Sequence, residues 1–181
     1  MANLKLIGFS GSLRKGSTNS MLLAEAARLF GPCDYTEVDI RFPLYDADDE
    51  AATGVPAAVQ KAADQIAGAD AILISTVEYN KGPSGVLKNA LDWISRVGSK
   101  PWDGKPLAVM SAAAGRAGGE RAQLILRSFM VPFRPRILQG PEIHLANSSN
   151  AFDENGRLTG EIYVKELTQL MASLRAEVDR K

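Results

Sequence analysis

The chain has 181 residues, of which 45% are hydrophobic and 23% are charged, a composition typical of folded globular proteins and not of fibrous or disordered ones. Lysine plus arginine and aspartate plus glutamate both total 21, so no summed charge favours nucleic acid, an anionic membrane or a polycationic partner. Half of this length would bury little apolar surface, and residues 1–181 are therefore predicted to form a single domain.

The counts of cysteine and histidine exclude two kinds of stabilising site. Cys33 is the single cysteine and His144 the single histidine, which rules out an intramolecular disulfide and a Cys/His zinc cluster. The acidic run at 46–50 lacks the glycine spacing of an EF-hand, so no metal site is predicted. The first apolar run is too short for a signal peptide, and no later segment approaches a membrane span. We expect a cytoplasmic protein without a membrane partner.

The first part of the chain alternates short apolar runs with segments of helical spacing. Residues 4–9 are predicted to form a strand and 20–30 a helix, in which apolar residues recur every three or four positions. Residues 35–40 follow as a second strand, and 43–54 as an acidic loop. A helix then runs from 55 to about 67, with Pro56 in its first turn.

The rest of the chain continues the alternation. Residues 69–75 are almost continuously apolar, as expected of a parallel strand covered on both faces. The later predicted elements are a helix at 84–97, a strand at 106–112, a helix at 120–130, a broken fifth strand at 136–138 and 142–145, a polar loop at 147–160 and a helix at 161–180. This order predicts an α/β fold with a five-stranded parallel sheet and helices on both faces.

Ligands of such sheets bind at the carboxyl ends of the strands, and the loop after the first strand has the composition of an anion site. Residues 11–19 contain two glycines, several hydroxyls and Arg14, all next to the start of a helix. Backbone N–H groups, the helix dipole and the guanidinium would all favour a phosphate. A capped helix beside a solvated loop is the alternative interpretation.

The spacing of the glycines in this loop limits which kind of phosphate ligand it is expected to bind. Gly11 and Gly16 match the glycines of a Walker A motif, but Ser17 stands where its lysine should be. A GxGxxG dinucleotide motif is also missing. A terminal monophosphate fits better, and the dianionic phosphate of FMN needs hydrogen-bond donors without hydrolysis or magnesium.

The loop after the third strand, at 77–83, combines an acid, an aromatic ring and an amide. Such groups and the nearby backbone can line a flat heteroaromatic ring. An ordinary loop followed by an amphipathic helix is the alternative.

Three stretches together resemble the NAD(P)H-dependent FMN reductase family, which includes bacterial chromate and quinone reductases. They are GSLRKGSTN at 11–19, EYNKGPSGVLKNALDW at 78–93 and SAAAGRAGGERAQ at 111–123. The third stretch is especially similar to the ferric reductase B type of the family. The chain differs from the usual family pattern at Val77, where proline is usual, at Pro83, where another apolar residue is common, and at Ala113, where many members have serine.

The resemblance implies a flavodoxin-like fold with strand order 2-1-3-4-5 and a non-covalently bound FMN. Its phosphate would be held by the first loop, its isoalloxazine and ribityl chain by the second, and its pyrimidine end by the backbone of the third. The predicted cofactor contacts are Ser10, Ser12, Arg14, Ser17, Thr18, Asn19, Val77, Glu78, Tyr79, Asn80, Lys81, Ala113, Ala114, Gly115 and Arg116.

The resemblance further implies an enzyme that takes electrons from NADH or NADPH and passes them, in a ping-pong cycle, to a quinone, free flavin, chromate or a ferric chelate. Because the flavin carries the chemistry, no catalytic side chain is predicted. A homodimer is expected, with a tetramer as the alternative. Arg96 would hold a nucleotide phosphate or a quinone oxygen across the subunit interface, or else is a solvated surface arginine.

Two other classes remain open at this point. One is a flavodoxin that carries electrons without turnover of its own, and the other is an FMN-binding regulatory protein. Carriers of this kind tend to be acidic so that they dock on basic partners, whereas the charges of this chain balance.

Overall fold

The computed structural model describes residues 3–180, which form a parallel sheet in the order β2-β1-β3-β4-β5. This order and the helices on both faces confirm the predicted flavodoxin-like class. The strands are β1 (Leu4–Ser10), β2 (Cys33–Glu37), β3 (Ala71–Thr76), β4 (Pro106–Ala112), β5 (Arg136–Ile137) and β6 (Ile143–Leu145).

The predicted break in the fifth strand is also confirmed. β5 pairs with the start of β4 and β6 pairs with its end, both in parallel. The residues between them include Gly140 and Pro141, and proline has no N–H group to continue the ladder.

The helices occupy the segments between the strands and the carboxyl-terminal part of the described chain. They are α1 (Thr18–Phe30), α2 (Ala47–Thr53), α3 (Ala57–Gly68), α4 (Gly85–Ser95), α5 (Glu120–Met130) and α6 (Glu161–Asp179), with short 3-10 helices at Val131–Phe133 and Ser148–Asn150. No helix within residues 3–180 has both the length and the apolar character that a membrane span requires.

Two hydrophobic cores lie on opposite faces of the sheet. On one face, apolar residues of α3, α4 and α5 pack against β1, β3 and β4. On the other face, α1 and α6 pack against the same three strands. Every residue of β3 and β4 is buried because helices cover both of their faces. These two strands therefore form a rigid base for the loops at their carboxyl ends.

The prediction of a loop over residues 43–54 is wrong in its second half, where α2 forms. The Asp46 side chain caps this helix by accepting a hydrogen bond from the Asp48 N–H at 2.8 Å. Acidic residues fill the first turn, where they interact favourably with the helix dipole. The helix has no buried residue, so the chain carries no apolar periodicity by which to recognise it.

The second strand is shifted from its predicted position at 35–40. β2 is Cys33–Glu37, and its last pairing is between Glu37 and Gly8 of β1. Val38 and Ile40 are buried although they lie beyond the strand. The apolar pattern therefore continues past the end of the ladder, which explains the error.

Candidate active site

A cavity of about 550 Å³ opens where β1, β3 and β4 end and α1 begins. Its volume is within the range of small-molecule and cofactor sites. Segments of all three predicted loops line it, together with one further segment after β6. The lining residues are Ser12, Arg14, Gly16, Ser17, Thr18, Asn19, Met21, Val77, Glu78, Tyr79, Ala112, Ala113, Ala114, Gly115, Ala117, Gly118, Gly119, Ser148 and Ser149.

The first loop presents the amino terminus of α1 to the cavity. Ser17 is the N-cap, and its hydroxyl accepts hydrogen bonds from the N–H groups of Asn19 and Ser20 at 3.2 and 3.4 Å. Arg14 is exposed at the cavity rim. A guanidinium and a helix amino terminus facing the same space favour an anion there. The structure thus assembles the predicted anion-binding groups on one side of the cavity.

Asn19 borders the cavity, but its side-chain amide points into the protein and makes its hydrogen bonds there. Its amide group donates to the Ala112 carbonyl at 3.0 Å and accepts from the Ala112 N–H at 3.1 Å. The Ser75 hydroxyl donates to the same amide oxygen at 2.8 Å. The residue is 2% exposed. Asn19 therefore joins the start of α1 to β3 and β4, and its predicted contact with the phosphate stays a prediction.

Ser10 lies beneath the first loop and outside the cavity lining. Its hydroxyl accepts from the Ser12 N–H at 3.3 Å and from the Ser20 hydroxyl at 3.1 Å. These bonds fix the turn that carries the chain from β1 into the loop. The contacts support a role in shaping the loop, and the predicted cofactor contact of Ser10 is left as a prediction.

The second loop folds back on itself at Tyr79–Gly82. Tyr79 and Gly82 exchange two backbone hydrogen bonds at 2.9 and 3.0 Å. Asn80 and Lys81 between them both have positive φ, at 50° and 68°, as in a type I′ turn. Val77, Glu78 and Tyr79 line the cavity, whereas Asn80 and Lys81 are exposed outside its lining.

The third loop forms the opposite wall. Ala113, Ala114 and Gly115 line the cavity, and the exposed Arg116 lies outside the lining, while the predicted contacts of all four with FMN stay predictions. The Ala113 N–H donates to the Leu145 carbonyl at 3.0 Å, which anchors this wall to the end of β6. The backbone that was predicted to approach the flavin is therefore held in place by the sheet.

Glycines at the end of this loop allow it to lie directly on the sheet. Gly118 and Gly119 have φ of 60° and 91°, values that side chains rarely permit. A Cβ at Gly118 would overlap the carbonyl of His144, and one at Gly119 would lie 2.8 Å from the Cβ of Ser111. Both positions require glycine for close approach as well as for conformation.

Sequence reasoning missed the serines that follow β6. Ser148 and Ser149 line the cavity, and the Ser148 hydroxyl accepts a hydrogen bond from the Thr18 hydroxyl at 3.0 Å. They lie just beyond the carboxyl end of the last strand, where a parallel sheet binds ligands. The polar run NSSN at that point was the available signal.

The segment that carries these serines is fixed to α1 by a second contact. Arg157 approaches the Glu25 carboxylate at 3.3 Å, and Arg28 of α1 binds the same carboxylate at 2.8 Å. Glu25 has a side chain only 1% exposed. The hydrogen bond from Arg28 is the largest influence on the pKa of Glu25 and helps hold it below its usual range, although burial opposes this.

Replacing Glu25 with glutamine is expected to lower the free energy of unfolding at pH 7 by about 1 kcal/mol, because the two arginines remain partly solvated when the charge is removed. Since the folded-state pKa of Glu25 is lowered, its stabilisation is present above the unfolded-state value and is lost as pH falls through the folded-state value. Urea unfolding of both proteins across acidic pH measures this. The difference should disappear at low pH, and the exposed control Glu154→Gln should match the parent throughout.

Arg96 does not line this cavity. It follows α4 at the end remote from the cavity, and its Nε is 3.0 and 2.9 Å from the two carboxylate oxygens of Glu50. The hydrogen bond from Arg96 lowers the pKa of Glu50. These contacts favour a structural role in joining α4 to α2, and the predicted contact across a subunit interface stays untested.

A second cavity, of about 600 Å³, lies between the ends of α4 and α5. Trp102 and Phe133 line it, and their ring centroids are 6.0 Å apart. None of the three loops that meet at the first cavity reaches it. Its larger volume therefore gives no reason to assign the redox chemistry to it.

The first cavity has the donor set that FMN needs. One side offers a helix amino terminus, Arg14 and hydroxyls for a phosphate, and the other offers backbone wall and small side chains for a flat ring. Gly118 and Gly119 allow the third loop to lie close to the sheet, because a Cβ at either position would meet the sheet. The residues present therefore fit this cofactor.

Comparison with known proteins gives the same assignment. Residues 4–150 match the family described as NADPH-dependent FMN reductase. An NAD(P)H-dependent FMN reductase of Pseudomonas aeruginosa is 43% identical over 180 residues, covering 98% of this chain and 97% of the relative. A quinone reductase of Escherichia coli is 37% identical over 164 residues, covering 88% of this chain and 85% of the relative.

A solved structure extends the match to the architecture. The flavoenzyme NAD(P)H:(acceptor) oxidoreductase FerB of Paracoccus denitrificans superposes with a TM-score of 0.88 at 29% identity, covering 98% of both chains. Its similarity agrees with the resemblance of the third loop to the ferric reductase B type. The chain therefore belongs to the NADPH-dependent FMN reductase family of flavin-dependent oxidoreductases.

Proposed function

We propose that this protein oxidises NADH or NADPH and reduces quinones, with bound FMN as the intermediary. The observation that carries the proposal is that one cavity is lined both by the amino terminus of α1, which favours an anion, and by the backbone and small side chains of the third loop. The similarity to a quinone reductase over most of the chain supports this acceptor class. Free flavin, chromate and ferric chelates are proposed as further acceptors at the same site.

When bound, FMN would supply two-electron redox chemistry between the reduced nicotinamide and the acceptor. The chain contributes binding and orientation. Arg14 and the start of α1 would attract the phosphate, while Val77 and Ala113 line the space that the ring would occupy. These groups hold a flat ring in one orientation, which is the main contribution a protein makes to such a reaction.

The mouth of the cavity is arranged for exchange of diffusible substrates. Tyr79 lines the cavity yet is 55% exposed, so its ring can cover a planar substrate. Lys81 and Arg116 are exposed on the loops beside it, and their charges favour an anionic nucleotide. We propose that the two substrates use this mouth in turn, as a ping-pong cycle requires.

We also propose a cytoplasmic homodimer, with a tetramer as the alternative. Leu124 on α5 and Val131 just after it are each 70% exposed. They are seven residues apart, which is about two helical turns, and so lie on similar sides of the helix. Burying such apolar side chains against a second subunit is favourable, which supports association of copies of this chain.

The proposal is tested by mixing the FMN-loaded protein with NADH or NADPH and a quinone, and following the loss of nucleotide absorbance. We expect oxidation well above the rate with the same concentration of free FMN.

Arg14→Ala should weaken FMN binding by about tenfold, the effect of losing a charge-assisted hydrogen bond of about 1.4 kcal/mol.

Arg134→Ala is the matched control for loss of a cation. Arg134 binds Asp103 at 2.6 Å and lines the second cavity, so its removal should leave FMN affinity unchanged. FMN binding without NAD(P)H oxidation would favour an electron carrier or a regulatory protein. Failure to take up FMN on reconstitution would contradict the cofactor assignment itself.

A further inference from the structure

We propose that Glu78 is a positioning residue whose carboxylate caps α5 and thereby sets the spacing between the second and third loops. The resemblance implies instead that Glu78 lies along the flavin. The positioning role depends on contacts within the chain, so it stands whether or not the cavity holds FMN.

The amino terminus of α5 lacks a capping side chain of its own. Gly119 occupies the N-cap position with φ of 91° and offers no side-chain acceptor. Among the first amides of the helix, that of Ala122 donates to Oε2 of Glu78 at 3.2 Å. Amides of a first helical turn otherwise have no partner within the helix, so Glu78 performs from another loop what an N-cap residue usually does.

The charge of Glu78 suits this position as well as its hydrogen bond does. The amino terminus of a helix carries a partial positive charge, which a carboxylate stabilises. Glu78 is half-buried, so this attraction is less screened than at an exposed site. A neutral acceptor at the same place should retain the hydrogen bond and lose the charge interaction.

The contact joins two of the loops that line the cavity. Glu78 directly follows Val77 of the second loop, whereas Ala122 follows the glycines that end the third. A Cβ built on Gly119 would come within 3.9 Å of the Glu78 Cβ, so the loops are already in close contact there. At Gly118 the third loop also lies against the carbonyl of His144. Glu78 thus adds a second attachment of this loop, besides its contact with β6.

Glu78→Ala and Glu78→Gln test the inference, with Glu120→Gln as the matched control. Glu120 is an exposed acid in the same first turn and lies outside the cavity lining. The first readout is the exchange rate of the Ala122 amide in the FMN-free protein, measured by NMR. The second is the dissociation constant for FMN from quenching of flavin fluorescence.

We expect Glu78→Ala to speed exchange of the Ala122 amide about tenfold and to raise the FMN dissociation constant about tenfold, which is about 1.4 kcal/mol. Glu78→Gln retains an acceptor oxygen and should change each quantity by less than about threefold. Glu120→Gln should change neither. Glu78→Asp, one methylene shorter, should resemble alanine because its carboxylate cannot reach the amide.

Unchanged exchange of the Ala122 amide in Glu78→Ala would overturn the inference, even if FMN affinity fell, because that combination indicates direct contact with the flavin. If the alanine variant does not fold, the comparison of Asp with Gln decides, and equal exchange rates would overturn it. A protein that binds FMN but fails to oxidise NAD(P)H would leave the exchange result intact, so this test is separate from that of the proposed function.

Discussion

Replacing Gly118 with alanine is expected to destabilise the protein by about 3 kcal/mol or more and to abolish FMN binding. The residue has φ of 60°, and a Cβ there would overlap the backbone carbonyl of His144. Backbone atoms of β6 cannot swing aside as a flexible side chain can. The third loop must therefore lift from the sheet, which removes one wall of the cavity.

Urea unfolding and FMN titration measure the two effects of this substitution. Gly98→Ala is the control for the glycine-to-alanine change, because a Cβ at Gly98 would meet nothing within 4 Å. The control should retain the stability and FMN affinity of the parent. A Gly118→Ala protein with stability within about 0.5 kcal/mol of the parent would show that the loop tolerates the displacement.

Replacing Asn19 with alanine is expected to lower the free energy of unfolding by about 3 kcal/mol. The substitution leaves the N–H and carbonyl of Ala112 and the hydroxyl of Ser75 without their partner. Each unsatisfied buried polar group costs about 1–3 kcal/mol, although water entering from the cavity offsets part of this sum. FMN affinity should fall as well, because α1 loses its link to β3 and β4.

Chemical unfolding of the FMN-free protein separates this effect from loss of the cofactor. Gln60→Ala removes an exposed amide from α3, where it donates only to Asp64 at 2.8 Å, and should cost less than about 0.5 kcal/mol. Ser75→Ala deletes one of the three bonds to Asn19 and should give an intermediate loss. Equal stability of the Asn19→Ala and Gln60→Ala proteins would contradict the structural role of Asn19.

Both substitutions act on contacts beneath the cavity. The cavity is made of loops, but Asn19 and Gly118 join those loops to buried strands. A cofactor site needs this support because a flat ring must be held in one orientation for electron transfer. We infer that loss of these contacts affects FMN binding by allowing the loops to move apart.

The regular elements followed closely from local patterns. The bounds predicted for β4 and α5 agree with the structure at both ends, because each has a strong apolar pattern with loop residues beside it. Residues 47–53 are the counterexample, since α2 buries no side chain. Its only local signals were the capping residue Asp46 and the acids that follow it, and composition alone did not distinguish them from a loop.

The prediction of an anion site also depends on a local pattern, because the glycines, hydroxyls and Arg14 of the first loop are close together in the chain. The contacts of Asn19, Glu78 and Ser148 could not be predicted in this way. Asn19 binds a residue 93 positions away, Glu78 one 44 positions away, and Ser148 one 130 positions away. No local pattern specifies which distant backbone group a polar side chain will meet.

The sequence by itself therefore determined the α/β class, the three loops and the kind of ligand they attract, since each depends on residues close together in the chain. The tertiary structure alone decided that Asn19 points into the sheet, that Arg96 binds Glu50, and that Gly118 lies against β6. These contacts depend on which strands and helices become neighbours when the chain folds into the parallel sheet. At a buried site such as that of the Asn19 amide, the cost of an unpaired polar group then favours a hydrogen-bond partner among those neighbours.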